Sequence, residues 1–366
     1  MTTQKFKPPA KGPSWLVIQL LERCNLRCTM CYEWGENGSY LELSKLAELD
    51  EDLLLNTLKE SLPARPYVEF FGGEPLLYKG IWKAMDLLRE GGCQLVFPTN
   101  GTTLRSHADR LVTDSPTRIW VSLDGPEEIN DRQRGRGVYQ KAMRGIEEVS
   151  EQKRRTGLRY PELGITFLIT PDNYLTIEQF FRDVDLSHLG AISVELQSYA
   201  TPEMHRHYSL VAHDVFGVTS TPHAASYVRD PKIFADVDVD ELVRQLLAVR
   251  KLCEANNVRF WTRPETVDTG TIAAYLAADW SKMNDFHQRC AIPWRYAEIS
   301  ARGEVTTCHT FYDITIGNIH EQSLLEIWQG DRAKKVRDHV RKELFPICPT
   351  CSRFYSLGAH PVGPQG

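Results

Sequence analysis

From Trp15 to Leu196 the chain alternates short apolar runs with amphipathic stretches, and this limits its fold more than any other feature. Six runs qualify as strands: Trp15–Leu20, Tyr67–Phe71, Gln94–Phe97, Arg118–Leu123, Leu163–Ile169 and Ala191–Leu196. Each is short and rich in Val, Ile, Leu or Phe, as strands covered on both faces require. Between them apolar residues recur at helical spacing over Glu51–Leu62, Gly80–Arg89, Leu104–Val112, Tyr139–Lys153 and Thr176–Val184. Strand alternating with helix predicts an α/β fold with a parallel sheet and right-handed crossovers. Periodicity leaves an open sheet and a partial barrel both open.

The rhythm breaks at Tyr199–Asp238, which holds His205, His207, His213 and His223 with Tyr199, Tyr208 and Tyr227. This reads as an insertion, closed by a helix over Glu241–Asn256. Beyond Val258 the texture changes again. Tyr296–Ser300 and Val305–Cys308 flank a Gly-containing turn and predict a hairpin. Ser323–Gln329 and Ala333–Lys342 read as helices, and the Pro/Gly-rich 358–366 as a flexible tail. The expected division is a core at 1–200, an insertion at 201–257, a small α+β unit at 258–357 and that tail.

The nine cysteines are clustered. Cys24, Cys28 and Cys31 fall in one loop after the first strand. Cys290, Cys308, Cys348 and Cys351 fall near the end of the chain, and Cys93 and Cys253 stand alone. The N-terminus lacks an export signal, so the cytosol is the expected compartment, where clustered thiols mean metal or redox chemistry rather than disulfides. The net charge of −5 argues against nucleic acid as a partner. No apolar run reaches the ~20 residues of a membrane helix. Three thiolates on one loop can hold an iron–sulfur cubane with one iron left open. A zinc site completed from elsewhere is the alternative.

With Cys24-Asn25-Leu26-Arg27-Cys28-Thr29-Met30-Cys31 after the first strand and Phe71-Gly72-Gly73-Glu74-Pro75 after the second, the sequence resembles the radical S-adenosylmethionine (SAM) enzymes. The resemblance implies a partial (β/α)6 barrel and a 4Fe–4S cluster on Cys24, Cys28 and Cys31. That cluster would bind SAM and cleave it, with one electron, to a 5′-deoxyadenosyl radical. Gly72, Gly73, Glu74 and Pro75 would meet the SAM amine, where glycines allow close approach and a carboxylate pairs with an ammonium. Asn100, Ser122 and Asp124 would face its ribose and methionine ends. Arg134, in a basic loop at Asn130–Gly135, would pair with its carboxylate. The family has an aromatic residue before the third cysteine; this chain has Met30, with Tyr32 following Cys31.

Cys290 and Cys308 around the hairpin, with the late Cys348-Pro-Thr-Cys351 pair, suit zinc or a fully ligated cluster by spacing alone. They resemble the short auxiliary-cluster domain called twitch. The longer SPASM version carries more cysteines. The resemblance implies an auxiliary 4Fe–4S cluster that accepts an electron from a substrate radical, making the net reaction an oxidation or a C–C or C–S bond formation. A flavodoxin- or ferredoxin-type reductant is the implied partner. Glu195, Gln197, Tyr199, His309 and Asp313 are the candidate proton-handling groups. Only 23 residues precede Cys24, too few for a peptide-recognition domain, so a small-molecule substrate is expected ahead of a ribosomal peptide. A non-catalytic iron–sulfur electron carrier is the competing class, and a zinc-stabilised binding protein is a third.

Overall fold

The computed structural model describes residues 7–283, 290–351 and 354. The first part of the chain runs β1 (Trp15–Gln19), α1 (Glu51–Ser61), β2 (Tyr67–Phe71), α2 (Ile81–Glu90), β3 (Leu95–Thr99), α3 (Ala108–Asp114), β4 (Arg118–Ser122), α4 (Glu127–Arg134), α5 (Val138–Thr156), β5 (Glu162–Ile169), α6 (Ile177–Asp183) and β6 (Ala191–Leu196). It continues with α7 (Pro202–Phe216), α8 (Pro222–Ser226), α9 (Val239–Ala255), β7 (Arg259–Arg263) and α10 (Thr269–Leu276). The last part is β8 (Tyr296–Ile299), β9 (Glu304–Thr306), β10 (Gly317–Asn318), α11 (Leu324–Gln329) and α12 (Asp331–Lys342).

One ten-stranded sheet runs through all of it, in the order β10-β9-β8-β1-β2-β3-β4-β5-β6-β7. The eight strands from β8 to β7 are parallel, and β9 and β10 are antiparallel. The sheet stays open, with β10 and β7 at its edges. One strand face packs on the helices through Leu16, Ile18, Val68, Phe70, Phe97, Ile119, Val121, Ile165 and Phe167, all fully buried. The other face carries polar and aromatic groups, including Gln19, Trp120, Glu195 and Glu298. The two faces follow from the period-two alternation of strand side chains. Helix starts are capped as sequence chemistry dictates: Asp50, Thr201, Asp238 and Asp268 each accept a first-turn N–H, and Ser323 with Glu326 forms a capping box.

Four expectations are revised. Residues 127–134 form a helix, so the alternative of a solvated basic loop around Arg134 does not hold. The insertion is largely helical, with α7 beginning at a Thr-Pro start signal that its histidine-rich composition hid. The boundary at 258 falls just before β7, which pairs with β6 and completes the main sheet. The C-terminal unit likewise joins that sheet, because β8 pairs in parallel with β1. The expected tail at 358–366 lies outside the described residues.

Candidate active site

The cysteine loop leaves β1 and is braced from three sides. Gly73 donates its N–H to the Leu21 carbonyl at 2.8 Å, and Glu74 donates to Arg23 at 3.1 Å. Both glycines of the motif are required by this approach. A Cβ on Gly72, which has φ +120°, would lie 2.4 Å from the Leu21 oxygen, and one on Gly73 would lie 2.2 Å from the Arg23 oxygen. Trp34 donates through Nε1 to the Glu22 carbonyl at 2.9 Å and carries the Arg27 guanidinium over its ring at 3.9 Å. Arg302, in the β8–β9 turn, grips the Glu22 carboxylate at 2.7 and 2.9 Å. The C-terminal hairpin therefore holds the chain two residues before Cys24.

The three thiols are half-buried. Leu26 N–H points at Cys24 Sγ (3.4 Å) and Trp34 N–H at Cys31 Sγ (3.3 Å), an arrangement that favours thiolates. In the metal-free chain burial pushes Cys24 up to about 11 and raises Cys28 and Cys31 as well. For Cys28 the neighbouring Arg134 works against burial.

Around this loop stand the other candidates. Glu74 is buried and its carboxylate takes three donors: Thr99 Oγ1 at 2.7 Å, Asn100 N at 2.8 Å and Leu76 N at 3.3 Å. Burial nevertheless raises it to about 7. Pro75 opens the short turn that Glu74 caps. Asn100 Nδ2 donates to Asn25 Oδ1 at 2.8 Å and leans towards Cys24 Sγ at 3.9 Å. Ser122 is half-buried at the end of β4. Asp124 departs from expectation. One oxygen takes Arg134 Nε at 2.6 Å, the other takes Leu168 N at 2.9 Å, and the residue is fully buried. Asp124 thus orients Arg134 beside Cys28. Tyr32 is likewise committed, donating its hydroxyl to the Ser198 carbonyl at 2.6 Å.

The proton-handling candidates divide. Tyr199 is fully buried and donates to the Tyr275 and Leu276 carbonyls, both at 2.9 Å. Asp313 uses both oxygens, each at 2.9 Å, to hold the His223 and Ala224 amides at the start of α8. Both side chains are thus held by backbone groups of the fold. Gln197 is buried, and its carbonyl accepts from Tyr275 Oη at 3.2 Å. Glu195 stays available. It lies at the end of β6, is 23% exposed, accepts from Ser193 Oγ at 2.7 Å and faces Arg263 of β7 at 3.7 Å. His309 is 26% exposed and faces Glu298. Sequence reasoning missed Gln19, Arg263 and Glu298, which acquire their neighbours through strand pairing, and the role of Tyr227, which closes α8 and meets Tyr32 and His309 across the fold.

The second cysteine set gathers from three separated segments. Cys308 and Cys348 are buried, and Cys290 and Cys351 partly so. Burial pushes Cys290 up to about 12 and raises Cys308 and Cys348, and each of these three also feels the charge of others in the set.

A family model described as the radical SAM superfamily matches residues 18–184, and one described as SPASM, an iron–sulfur cluster-binding domain, matches residues 290–352. The chain therefore carries a radical SAM domain followed by a SPASM domain. It is similar to the Fe-coproporphyrin III synthase of Methanosarcina barkeri, 32% identical over 40% of this chain and 36% of that protein. It is also similar to the tungsten-containing aldehyde ferredoxin oxidoreductase cofactor-modifying protein of Pyrococcus furiosus, 23% identical over 92% of this chain and 87% of that one. The chain thus spans about a third of the first relative and most of the second. Among solved structures its fold matches Streptococcus suis SuiB bound to precursor peptide SuiA, with TM-score 0.63 and 18% identity over 94% of this chain and 71% of that one. The C-terminal match is to the SPASM model, where the sequence alone had suggested the shorter twitch form; the chain supplies that region with four cysteines.

A radical SAM domain implies a 4Fe–4S cluster and SAM, and a SPASM domain implies auxiliary iron–sulfur clusters. The donor sets fit those groups. Both are all-thiol, and backbone amides point at sulfur in the first. Among the described residues no three His, Cys, Asp or Glu side chains converge tightly enough for a single metal ion.

Proposed function

We propose that this enzyme performs a radical oxidation or cross-linking of a peptide. Cys24, Cys28 and Cys31 would hold the SAM-binding cluster, and Cys290, Cys308, Cys348 and Cys351 the auxiliary one. When bound, these groups supply a 5′-deoxyadenosyl radical for hydrogen abstraction and an acceptor for the electron left on the substrate. The observation that carries the reading is the convergence of the Gly72–Glu74 turn, Asn100 and Arg134 on the cysteine loop.

The residues of the chain would do the rest. Asn100 and Arg134 would offer an amide and a guanidinium to the hydroxyl and carboxylate groups of SAM, while Glu74, its oxygens held by Thr99, Asn100 and Leu76, would fix the Gly72–Gly73 turn against the amine. Asp124 fixes Arg134. Glu195 and Arg263 offer opposite charges on adjacent strand ends, where a peptide's amide or terminal groups would be read, and Glu195 is placed to take a substrate proton. A peptide is favoured here over the small molecule expected from the sequence on the support of the shared fold of SuiB, solved with its precursor peptide SuiA; a small molecule is the second reading. The reductant would be a flavodoxin or ferredoxin, and the compartment the cytosol, where thiols stay reduced.

The test is anaerobic reconstitution with iron and sulfide, followed by dithionite-driven SAM cleavage. Roughly eight irons per chain with release of 5′-deoxyadenosine supports the reading. Stoichiometric zinc without iron, or a full iron load with no cleavage, sinks it and favours a binding protein or an electron carrier.

A further inference from the structure

A continuous path of bonded, stacked and hydrogen-bonded groups joins the two cysteine sites. Tyr32 follows Cys31 directly in the chain. Its ring lies face to face with that of Tyr227, with centroids 4.0 Å apart and planes 10° from parallel. The Tyr227 hydroxyl meets His309 Nε2 at 3.0 Å. His309 follows Cys308 directly. Each link is immobilised. Tyr32 is pinned through its hydroxyl to the Ser198 carbonyl. Tyr227 is 5% exposed and closes α8, whose first amides are held by Asp313, itself five residues beyond Cys308. Its carbonyl also accepts from Ala200 N at 2.9 Å. His309 Nδ1 lies 3.0 Å from Glu298, which is fully buried and also receives Gln19 Nε2 at 3.0 Å and the Tyr296 hydroxyl. With Nδ1 donating to the Glu298 carboxylate, the neutral ring leaves Nε2 to accept from Tyr227.

We propose that Tyr32, Tyr227 and His309 form the electron route between the auxiliary and SAM-binding sites, and that the 199–238 insertion exists to place Tyr227 in that gap. The proposal rests on the function proposed above. With clusters held by Cys290, Cys308, Cys348 and Cys351 and by Cys24, Cys28 and Cys31, the three path residues would carry one electron from the first set, oxidised by one, to the second, reduced by one. No bond forms or breaks. Tyr227 and His309 keep their protons and are not themselves oxidised; they couple the two sites through a stack and a hydrogen bond in place of a gap. Glu298 is a positioning residue, since it acts only by orienting His309.

The experiment is photoreduction of the reconstituted full chain followed by freeze-quench electron paramagnetic resonance. The SAM-site signal is identified by its change when SAM is added. The readout is the relaxation of the electron between the two sites, independent of turnover. Tyr227→Phe keeps the stack and loses the hydrogen bond, and slows relaxation several-fold. Tyr227→Leu loses both and slows it by an order of magnitude or more. Tyr208→Phe, a buried tyrosine packed on Phe345 and within the electrostatic reach of Cys308 and Cys348 but off the path, leaves the rate unchanged. Iron content and the final equilibrium spectrum stay as in the parent in all three. Relaxation at the parent rate in Tyr227→Leu overturns the proposal, as does equal slowing in Tyr208→Phe. Should Tyr227→Leu fail to load iron, Tyr227→Phe decides alone. A parent protein without two clusters or without SAM cleavage is instead a failure of the proposed function.

Discussion

The two cysteine sets are built in opposite ways. Cys24, Cys28 and Cys31 come from one eight-residue stretch and are half-buried. Their neighbours converge on them from the ends of β2, β3 and β4. Cys290, Cys308, Cys348 and Cys351 come from three segments and are drawn inward, two of them fully into the core. A loop set leaves one side open for a ligand. A set closed by tertiary structure surrounds what it holds and contributes to the fold. The first is suited to chemistry on a bound cofactor, the second to holding and passing charge.

The largest expected effects test that contrast directly. Cys28→Ala abolishes SAM cleavage and removes about half the iron, with little change in the melting of the metal-free chain. Cys308→Ala also removes about half the iron but keeps SAM cleavage while losing product, and it lowers stability because it empties a buried site. The outcomes are read by iron analysis, 5′-deoxyadenosine release and thermal melting. Equal loss of cleavage in both variants would break the comparison.

Next comes Gly73→Ala. The added Cβ meets the Arg23 carbonyl at 2.2 Å, and backbone cannot swing aside as a side-chain tip can. We expect a loss of roughly 3 kcal/mol in denaturant melts together with poor loading of the first cluster. A melt within error of the parent would show that the two loops have slack.

A pH effect follows from Glu74. Burial raises its carboxyl from 4.5 to about 7, so between those values the folded metal-free chain holds a proton that the unfolded chain has released. Stability is therefore fully present below about 4.5 and declines as pH rises through about 7, by on the order of 2–3 kcal/mol. Glu74→Gln removes that decline, which a comparison of denaturation at several pH values would reveal. An unchanged slope would mean that the three donors to Glu74 offset its burial.

The smallest effect belongs to Asp313→Asn. The amide side chain offers one acceptor oxygen where the carboxylate offers two, so one α8 amide is left unpaired at a cost of about 1–2 kcal/mol. If Asp313 were instead a proton carrier, product formation would collapse while stability held, and the two measurements separate these cases.

Much of the fold was legible because its signals are local. The six strands and five of the helices between them were readable from apolar spacing, with ends displaced by a residue or a few. Where a local signal was masked, the reading failed: the charged run Glu127–Arg134 concealed a helix behind the appearance of a basic loop, and β7 concealed a strand behind Arg259, Thr262 and Arg263. At the site, the cysteine loop and the Gly72–Pro75 motif could be read because each is contiguous. The roles of Tyr199, Asp313 and Asp124 could not, because residue type says nothing of whether a polar atom is already spent on a neighbour far away in sequence.

By itself, then, the sequence determined the alternating α/β architecture, the three-thiol loop and the glycines that let a second loop lie against it. Those depend on spacing along the chain, which the residues carry with them. Tertiary structure alone decided the gathering of the four late cysteines, the committed state of Asp124, Tyr199 and Asp313, and the Tyr32–Tyr227–His309 path. The late cysteines, Asp313 and the path depend on β8 joining β1 and on α8 docking against the segment after β9, whereas Asp124 depends on α4 and β5, and Tyr199 on α10. Such contacts are set by which apolar faces find one another on folding, a choice made over hundreds of residues rather than a few.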